Sequence, residues 1–338
     1  MPIFDTTRFK WPFDGFISSM LGAILLALFI PSVGASHGPL HLDIVTAWGV
    51  ALVFFLNGAL LPTEKLKAGF KNYRLHLLVQ SSTYILFPIL GLLIGFLLKN
   101  WLDTSLVLGI VYLCALSSTV SSSVTMTTIA KGNVTGAIFN ATLSTLLGML
   151  LTPLLVSFYA SKGAAGSFSF ANAIIAIAIQ LLLPFIVGHL LRKWLLPFLK
   201  KGMKVVNKVD KTVIVLIVFN AFCDSTLSGL WHQQGISLLI QALVVAAILL
   251  LLVLTITAKL SRVMGFSLED EIAAVFCGSK KSVANGVPMA KMLFGSSVPL
   301  GPIVLPIMIY HQLQLIICAI LARKYAQKVE LLNSLEKS

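Results

Sequence analysis

Two adjacent lysines, Lys280 and Lys281, have the clearest chemical potential in this sequence, because they fall inside a long apolar stretch. If that stretch is a helix beginning near Glu271, Lys280 lies about 14 Å along it, near the centre of a hydrocarbon layer about 30 Å thick. A lysine at that depth costs at least about 2.5 kcal/mol unless it is solvated or paired. The alternative is that both side chains extend to the lipid headgroups. If the lysines are instead solvated or paired where they lie, they provide a fixed positive charge in a polar cavity, which binds an anion or takes the place of a metal cation.

Asp224 is the only carboxylate well inside an apolar stretch. Counted from Thr212 along a helix, it lies at about 18 Å, a depth comparable with that of Lys280. We therefore hypothesise a lysine–aspartate pair or a shared cavity. The alternative is that Asp224 faces water near the end of a short span.

Two polar segments interrupt apolar stretches at corresponding places. Residues 117–123 contain six hydroxyl side chains, and residues 278–282 (Gly-Ser-Lys-Lys-Ser) are followed by Asn285-Gly286-Val287-Pro288. A helix broken inside a bilayer leaves backbone groups unpaired, which is tolerated where they line a polar cavity or meet an ion. Proline and glycine favour a break near 285–288. In the first segment the hydroxyls could instead bond to carbonyls of their own helix.

Other polar groups carry weaker signals. Gln80, Asn140, Thr145 and His311 lie within apolar stretches, where each is more often a hydrogen-bonded structural residue than a ligand. The four cysteines lie singly without metal-ligand spacing, so no zinc site or disulfide framework is indicated. An intramembrane enzyme would need a converging acid–base or nucleophile set, and Lys281 and His311 are only scattered candidates. We predict no enzymatic activity and no cofactor, with a sodium ion as the one inorganic ligand to consider.

The amino-acid composition indicates in which solvent the elements that carry these residues fold. Of the 338 residues, 57% are hydrophobic and 11% are charged, against about 25% charged in an average soluble domain. This leaves too little polar surface for a water-soluble protein, so the solvent is the lipid bilayer. The formal net charge of +13 does not indicate nucleic-acid binding, because helices that are apolar all round form no basic face.

Ten apolar stretches are long enough to cross a membrane. They lie at about 14–34, 43–62, 74–98, 104–130, 134–160, 171–192, 212–231, 237–260, 271–294 and 298–322. With a cytoplasmic N-terminus, inner segments hold twenty lysines and arginines, whereas outer loops hold only Lys99 and Lys162. This bias satisfies the positive-inside rule and predicts that both termini are cytoplasmic.

The predicted organisation places residues 1–192 in spans one to six, 193–211 in a basic cytoplasmic connection, 212–323 in spans seven to ten, and 324–338 in a cytoplasmic tail. Five spans per half require opposite orientations, which is the inverted-repeat plan of many secondary transporters. The fold prediction is therefore an all-α polytopic membrane protein with ten transmembrane helices in two inverted five-helix repeats. Spans four and nine are predicted to be discontinuous.

Nearly the whole chain resembles the bile acid:sodium symporter family, solute carrier family ten, and more closely a bacterial branch related to its seventh human member. The residues that carry the resemblance are 117–128, 130–133, 137–140, 144–147, 151–155, 183–188, 276–282, 284–288 and 310–314. The combination is specific to the branch, whereas each piece alone is not.

This resemblance implies a core domain, in which two discontinuous helices cross at mid-membrane, and a panel domain that rocks against it. It also implies sodium sites near the crossing, formed by hydroxyls, amides and a glutamate of the ninth helix. Matched by position, the candidate sodium ligands are Gln80, Ser121, Ser122 and Thr145. The glutamate is absent, because the segment carries the two lysines. An ammonium there would occupy the place of a sodium ion, which weakens the expectation of sodium coupling.

We predict a secondary active transporter of the bacterial inner membrane that moves an amphipathic organic anion by alternating access, with the solute bound near the crossing. The alternatives are a non-transporting regulatory membrane protein of the same fold and an intramembrane enzyme. Partners are the solute and the bilayer, and the oligomeric state is left open. The predicted substrate- or ion-binding residues are Gln80, Ser118, Thr119, Ser121, Ser122, Asn140, Thr145, Ser279, Lys280, Lys281 and Asn285, with Asp224 as charge partner.

Overall fold

The computed structural model describes residues 15–36, 38–61, 72–98, 100–163, 178–294 and 299–335. These residues form helices with short connections, and none of them belongs to a β-strand. The prediction of an all-α protein is confirmed for this part of the chain.

The described residues of the first half of the chain form seven helices. They are α1 (Gly15–Phe29), α2 (Pro31–Gly34), α3 (Leu42–Leu60), α4 (Tyr73–Leu97), α5 (Thr104–Ala115), α6 (Val120–Ile129) and α7 (Val134–Gly163). Helix α4 contains a π-helical segment, Ser82–Leu86, near its middle. Such segments free backbone groups from the regular ladder and are frequent at functional sites.

From residue 178 on, the described residues start with a π-helical segment, Ala178–Leu182, that leads into the next helix. The remaining helices are α8 (Leu183–Leu190), α9 (Arg192–Lys201), α10 (Met203–Leu227), α11 (Leu230–Val263), α12 (Leu268–Gly278), α13 (Val283–Phe294) and α14 (Leu300–Leu335).

Five of these helices contain a segment long and apolar enough to cross a membrane by itself, and a sixth crossing results if α5 and α6 count as one broken span. The five segments are Leu42–Leu60, Tyr73–Leu97, Val134–Tyr159, Gly235–Val263 and Leu300–Leu332. The other predicted spans fall on α1, on α8 with residues outside the described ranges, on α10, and on the pair α12 and α13. The protein is thus an integral membrane protein.

Both predicted interruptions are present. The axes of α5 and α6 differ by 62°, with the break at residues 116–119, and the helix of span nine is interrupted at residues 279–282. The expected contribution of Asn285 to Pro288 to the second break is wrong, because these residues lie within α13.

The physical reason is that backbone groups at residues 279–282 find partners outside their own helix. Lys281 N–H donates to Gln314 Oε1 (2.9 Å), and Gln314 Nε2 donates to the Lys281 carbonyl (3.0 Å). The Tyr310 hydroxyl donates to the Ser279 carbonyl (2.6 Å). Two polar side chains one turn apart on α14 therefore replace the missing intrahelical bonds.

Polar contacts anchor the start of α12. The Ser267 hydroxyl accepts from Asp270 N–H as an N-cap, and the Glu271 carboxylate receives a bidentate bond from Arg262 and a bond from the Tyr325 hydroxyl. Asp270 accepts bonds from the side chains of Asn72 and Asn133. Helices α4, α7, α11 and α14 are therefore tied to this end of α12.

Candidate functional site

The two helix breaks contact each other directly. The backbone N–H of Ser282 donates to the Ser117 carbonyl (3.0 Å), so each break supplies a partner for the other. The Ser118 hydroxyl donates to the Cys277 carbonyl (2.7 Å), and the Ser123 hydroxyl donates to the Phe276 carbonyl (3.1 Å). These hydroxyls satisfy carbonyls at the C-terminal end of α12, which would otherwise be buried and unpaired.

Lys281 is enclosed at this junction, with 1% of its surface exposed. Its ammonium donates to three backbone carbonyls: Leu116 (2.6 Å), Cys114 (2.8 Å) and Thr83 (3.1 Å). The ammonium also lies 4.0 Å from the centre of the Phe87 ring. Because a lysine has three N–H donors, these bonds use all of them. We call the three carbonyls the carbonyl cage.

Lys280 is equally buried, with 0% exposure, but its surroundings differ. Its ammonium donates to the Ser122 carbonyl (2.9 Å) in the first turn of α6 and lies 5.8 Å from the Phe276 ring. No second hydrogen bond of this ammonium is found among the described residues. Two of its three donors therefore stay available to a ligand or to water.

The predicted pairing of Asp224 with these lysines is wrong. The Asp224 carboxylate accepts bonds from the Ser36 backbone N–H (2.9 Å) and hydroxyl (2.6 Å), and it attracts Lys291 electrostatically. Both ammonium groups at the crossing bond to carbonyls instead. A similar depth along two helices did not bring the groups together, because Asp224 faces the connection between α2 and α3.

The N-terminus of α6 presents polar groups beside the buried lysines. Ser121 is exposed, and Thr119 and Ser122 are half-buried. The Ser122 hydroxyl oxygen is shielded and has no hydrogen-bond partner in the described part of the chain. Thr119 is the N-cap residue, yet its side chain makes no capping bond. The first-turn amides of a helix carry partial positive charge and lack intrahelical partners, so this end of α6 attracts anions.

One face of α6 is exposed and polar. Ser121, Thr125 and Thr128 follow one another at helical spacing and are all exposed. Inside a membrane a face of hydroxyls is compatible with a water-filled crevice rather than with lipid.

Three more of the predicted residues, Gln80, Asn140 and Thr145, lie on α4 and α7. Gln80 Nε2 donates to the carbonyl and the side-chain oxygen of Asn140 (3.1 and 3.3 Å), while Gln80 Oε1 has no hydrogen-bond partner among the residues that the structure describes. The Thr145 hydroxyl bonds within its own helix, to the Ala141 carbonyl. No hydrogen bond among the described residues joins Gln80 or Thr145 to Ser121 or Ser122, and a shared sodium site of these four residues stays a prediction.

Two other predicted residues serve the crossing itself. The Ser279 hydroxyl bonds back to the Val275 carbonyl (2.6 Å), and Asn285 Nδ2 donates to the Ser117 hydroxyl (3.3 Å). Residue-by-residue reasoning did not select Thr83, Ser144, Tyr310 or Gln314 as site residues. Ser144 accepts the Ser118 backbone N–H (2.9 Å). The spacing of Tyr310 and Gln314, one helical turn apart in an apolar stretch, was a usable signal.

Broken helices that meet inside a membrane protein and enclose charged groups are typical of one class, the secondary transporters. Sequence comparison gives the particular family. The profile of the SBF-like CPA transporter family matches residues 14–327, and the chain belongs to this family.

Relatives cover almost the full chain. An uncharacterised protein of Pseudomonas aeruginosa is 44% identical over 316 residues, 93% of each chain. YfeH of Escherichia coli, whose name describes a proposed symporter, is 42% identical over 326 residues, 96% of each chain. Sodium/bile acid cotransporter 7 of Danio rerio is 31% identical over 324 residues, 95% of each chain. The resemblance is confirmed, and the names of the family, of YfeH and of cotransporter 7 describe transport rather than enzymatic catalysis.

Proposed function

We propose that this protein is a secondary active transporter that moves an amphipathic organic anion by alternating access, with the anionic group bound at the N-terminus of α6. The observation that carries the proposal is the buried Lys280 ammonium, which reaches the first turn of α6 and retains free donors. The names of the relatives, a symporter and a sodium/bile acid cotransporter, support a small-molecule solute.

The electrostatics favour an anion over a neutral or cationic solute. The first-turn amides of α6, the Thr119 and Ser121 hydroxyls and the Lys280 charge all stabilise negative charge at one place. A carboxylate or sulfonate with an apolar body fits a polar centre between largely apolar helices. The solute's hydrophobic part then contacts the crevice walls.

The two lysines have different roles in this proposal. Lys281 has no donor left for a solute, so its role is that of a resident cation that balances the converging carbonyls. A sodium ion does not fit the carbonyl cage while the ammonium occupies it. Lys280 contacts the anion. This arrangement favours transport that does not require sodium.

The proposed architecture has ten spans in two inverted repeats of five, with the breaks in spans four and nine at matching positions. We assign α4–α7 and α11–α14 to a core domain, and α1, α3, α8 and α10 to a panel domain that rocks against it. The distribution of lysine and arginine supports cytoplasmic termini in an inner membrane. On this orientation α6 and α12 occupy the cytoplasmic half of the core, and the exposed hydroxyl face of α6 lines a crevice open to the cytoplasm.

Ligand-dependent thermal stability of the purified protein tests the proposal. We expect amphipathic carboxylates or sulfonates to raise the melting temperature, in sodium chloride and in choline chloride alike, whereas uncharged analogues have no effect. The Lys280→Met variant loses this response. Lys131→Met is the matched control, because Lys131 pairs with Glu330 on an exposed surface.

Flux completes the test. The anion that stabilises the protein should enter proteoliposomes that contain the wild type and not those that contain Lys280→Met. Binding without flux in the wild type would contradict transport and favour the non-transporting alternative. A strict sodium requirement for both binding and flux would contradict the role given to Lys281.

A further inference from the structure

A polar cluster on the opposite side of the crossing joins the second half of the broken span nine to α3 and α10. Lys291, on α13, donates to Asn220 Oδ1 on α10 (2.7 Å). Asn220 is fully buried and donates in turn to the Gly34 carbonyl (2.9 Å) and to the Ser36 hydroxyl (3.3 Å). We call Lys291, Asn220, Asp224, Ser36 and Asp43 the α13 cluster.

Two carboxylates accompany the single ammonium of the cluster. Asp224 is held by Ser36, and both Asp224 and Asp43 attract Lys291 electrostatically. One oxygen of Asp43, in the first turn of α3, is shielded and makes no hydrogen bond with any described residue. Lys291 therefore compensates negative charge contributed by two different helices.

Two polar contacts among the described residues join the proposed core helices to α10 on the α13 side, the first being the bond from Lys291 to Asn220. A second one, from the Gly301 backbone N–H of α14 to the Ser225 hydroxyl of α10 (3.2 Å), lies on the same side of the crossing as the α13 cluster. On the other side, the hydrogen bonds of α6 and α12 that the described ranges contain go to α4, α7, α11, α14 or to each other. There the polar face of α6 is exposed.

We propose that Lys291 is a latch that holds the α13 side of the protein closed and has to release Asn220 each time that side opens. This inference rests on the rocking of core against panel in the proposed function, and it assigns the residue that stabilises one of the two states. A hydrogen-bonded charge at an interface of two rigid bodies is a two-state element, since it is either made or fully broken.

Cysteine reactivity of purified protein in detergent tests the latch without any solute. Leu216→Cys reports on the closed side, because residue 216 lies one turn from Asn220 on α10 and is half-buried. Ser121→Cys reports on the exposed face of α6. In Lys291→Met we expect the maleimide reaction at position 216 to speed up about tenfold and that at position 121 to slow down, because breaking a charged hydrogen bond shifts the population toward the other state.

Asp224→Asn keeps a side chain able to bond Ser36 but removes the charge that attracts Lys291. It should accelerate labelling at position 216 by a smaller factor, and it should add nothing in the Lys291→Met background. Lys131→Met is the control and leaves both rates unchanged. The four native cysteines are buried, and the protein without an introduced cysteine supplies the background rate.

Two results would overturn the latch. Labelling at position 216 within about twofold of the parent rate in Lys291→Met shows that the bond does not hold the state. Faster labelling at both positions shows local loosening instead of a reciprocal change. Lys291→Arg, which keeps a charged donor, should retain the parental rates, so a change found in Lys291→Met but not in Lys291→Arg follows from the loss of the charged donor. A protein that binds no organic anion can still pass this test, which separates the latch from the proposed substrate.

Discussion

Lys280 and Lys281 are neighbours in sequence, identical in type and equally buried. Their ammonium groups nevertheless lie in different chemical surroundings. Lys281 is surrounded by three carbonyls and an aromatic ring, and every donor is used. Lys280 has one carbonyl partner, beside an exposed helix N-terminus. The difference shows that burial alone does not define the role of a membrane lysine. The number of donors left over separates a resident counter-charge from a group that can bind a ligand.

The largest expected effect comes from removing the cage occupant. Lys281→Met leaves the three carbonyls of the carbonyl cage without a donor. The Ser122 carbonyl lies in the first turn of α6, so in Lys280→Met it keeps its helical N–H partner four residues ahead. Both variants relieve a similar desolvation penalty, so their difference isolates the three cage carbonyls, about 3–9 kcal/mol at about 1–3 kcal/mol each. Thermal and denaturant unfolding in detergent should rank Lys281→Met well below Lys280→Met. Equal stability of the two variants would remove the distinction drawn between these lysines.

The second-largest effect on the free energy of unfolding is expected at Gln314, which bonds to the backbone of the second break. Gln314→Leu removes both bonds to the Lys281 backbone, which predicts a loss of about 2–4 kcal/mol in the free energy of unfolding. Gln312→Leu is a matched control, since Gln312 lies two residues away and lines an apolar cavity between α1, α10, α11 and α14. The same unfolding measurement applies, and a loss as large in the control would contradict a specific role of Gln314.

A smaller effect on stability tests the proposed role of Lys281 as a resident cation. Lys281→Ala vacates the carbonyl cage, whose oxygens are suitable ligands for a hard cation. Sodium should then stabilise this variant relative to choline by about 1 kcal/mol at several times its dissociation constant, while the wild type does not respond. Melting temperatures across a sodium titration provide the measurement. A cage that ignores sodium would argue that only the tethered ammonium fits there.

The smallest expected effect on stability is at the exposed face of α6. Ser121→Ala removes a hydroxyl for which the structure describes no intramolecular bond, so the melting temperature should stay unchanged. Affinity for a stabilising anion should fall severalfold if this hydroxyl contacts the solute. Ser118→Ala offers the contrast, because it removes a buried bond to α12 and should lower stability. Unchanged anion affinity in Ser121→Ala would place the solute elsewhere.

Several features of the site followed from residue types, and others could not. Two polar segments and a pair of lysines in apolar stretches predicted the breaks, because broken backbone and charge are tolerated in a membrane only at polar cavities. The position of the second break shifted from Asn285–Pro288 to residues 279–282, since Gln314 and Tyr310 pair with that backbone. The Asp224 hypothesis failed for a related reason. Depth along a helix is readable from sequence, but the direction of a side chain relative to other helices is not.

The sequence by itself determined that the chain is a helical membrane protein with charged residues inside its apolar stretches, because hydropathy and charge are sums over local residues. Only the tertiary structure decided which lysine uses all of its hydrogen-bond donors and which lysine keeps donors for a ligand. The carbonyls of Thr83, Cys114, Leu116 and Ser122 lie more than a hundred and fifty positions from the lysines that they accept bonds from. A carbonyl is present at every residue, so no residue type marks the ones that helix breaks and a π-helical segment release for this purpose.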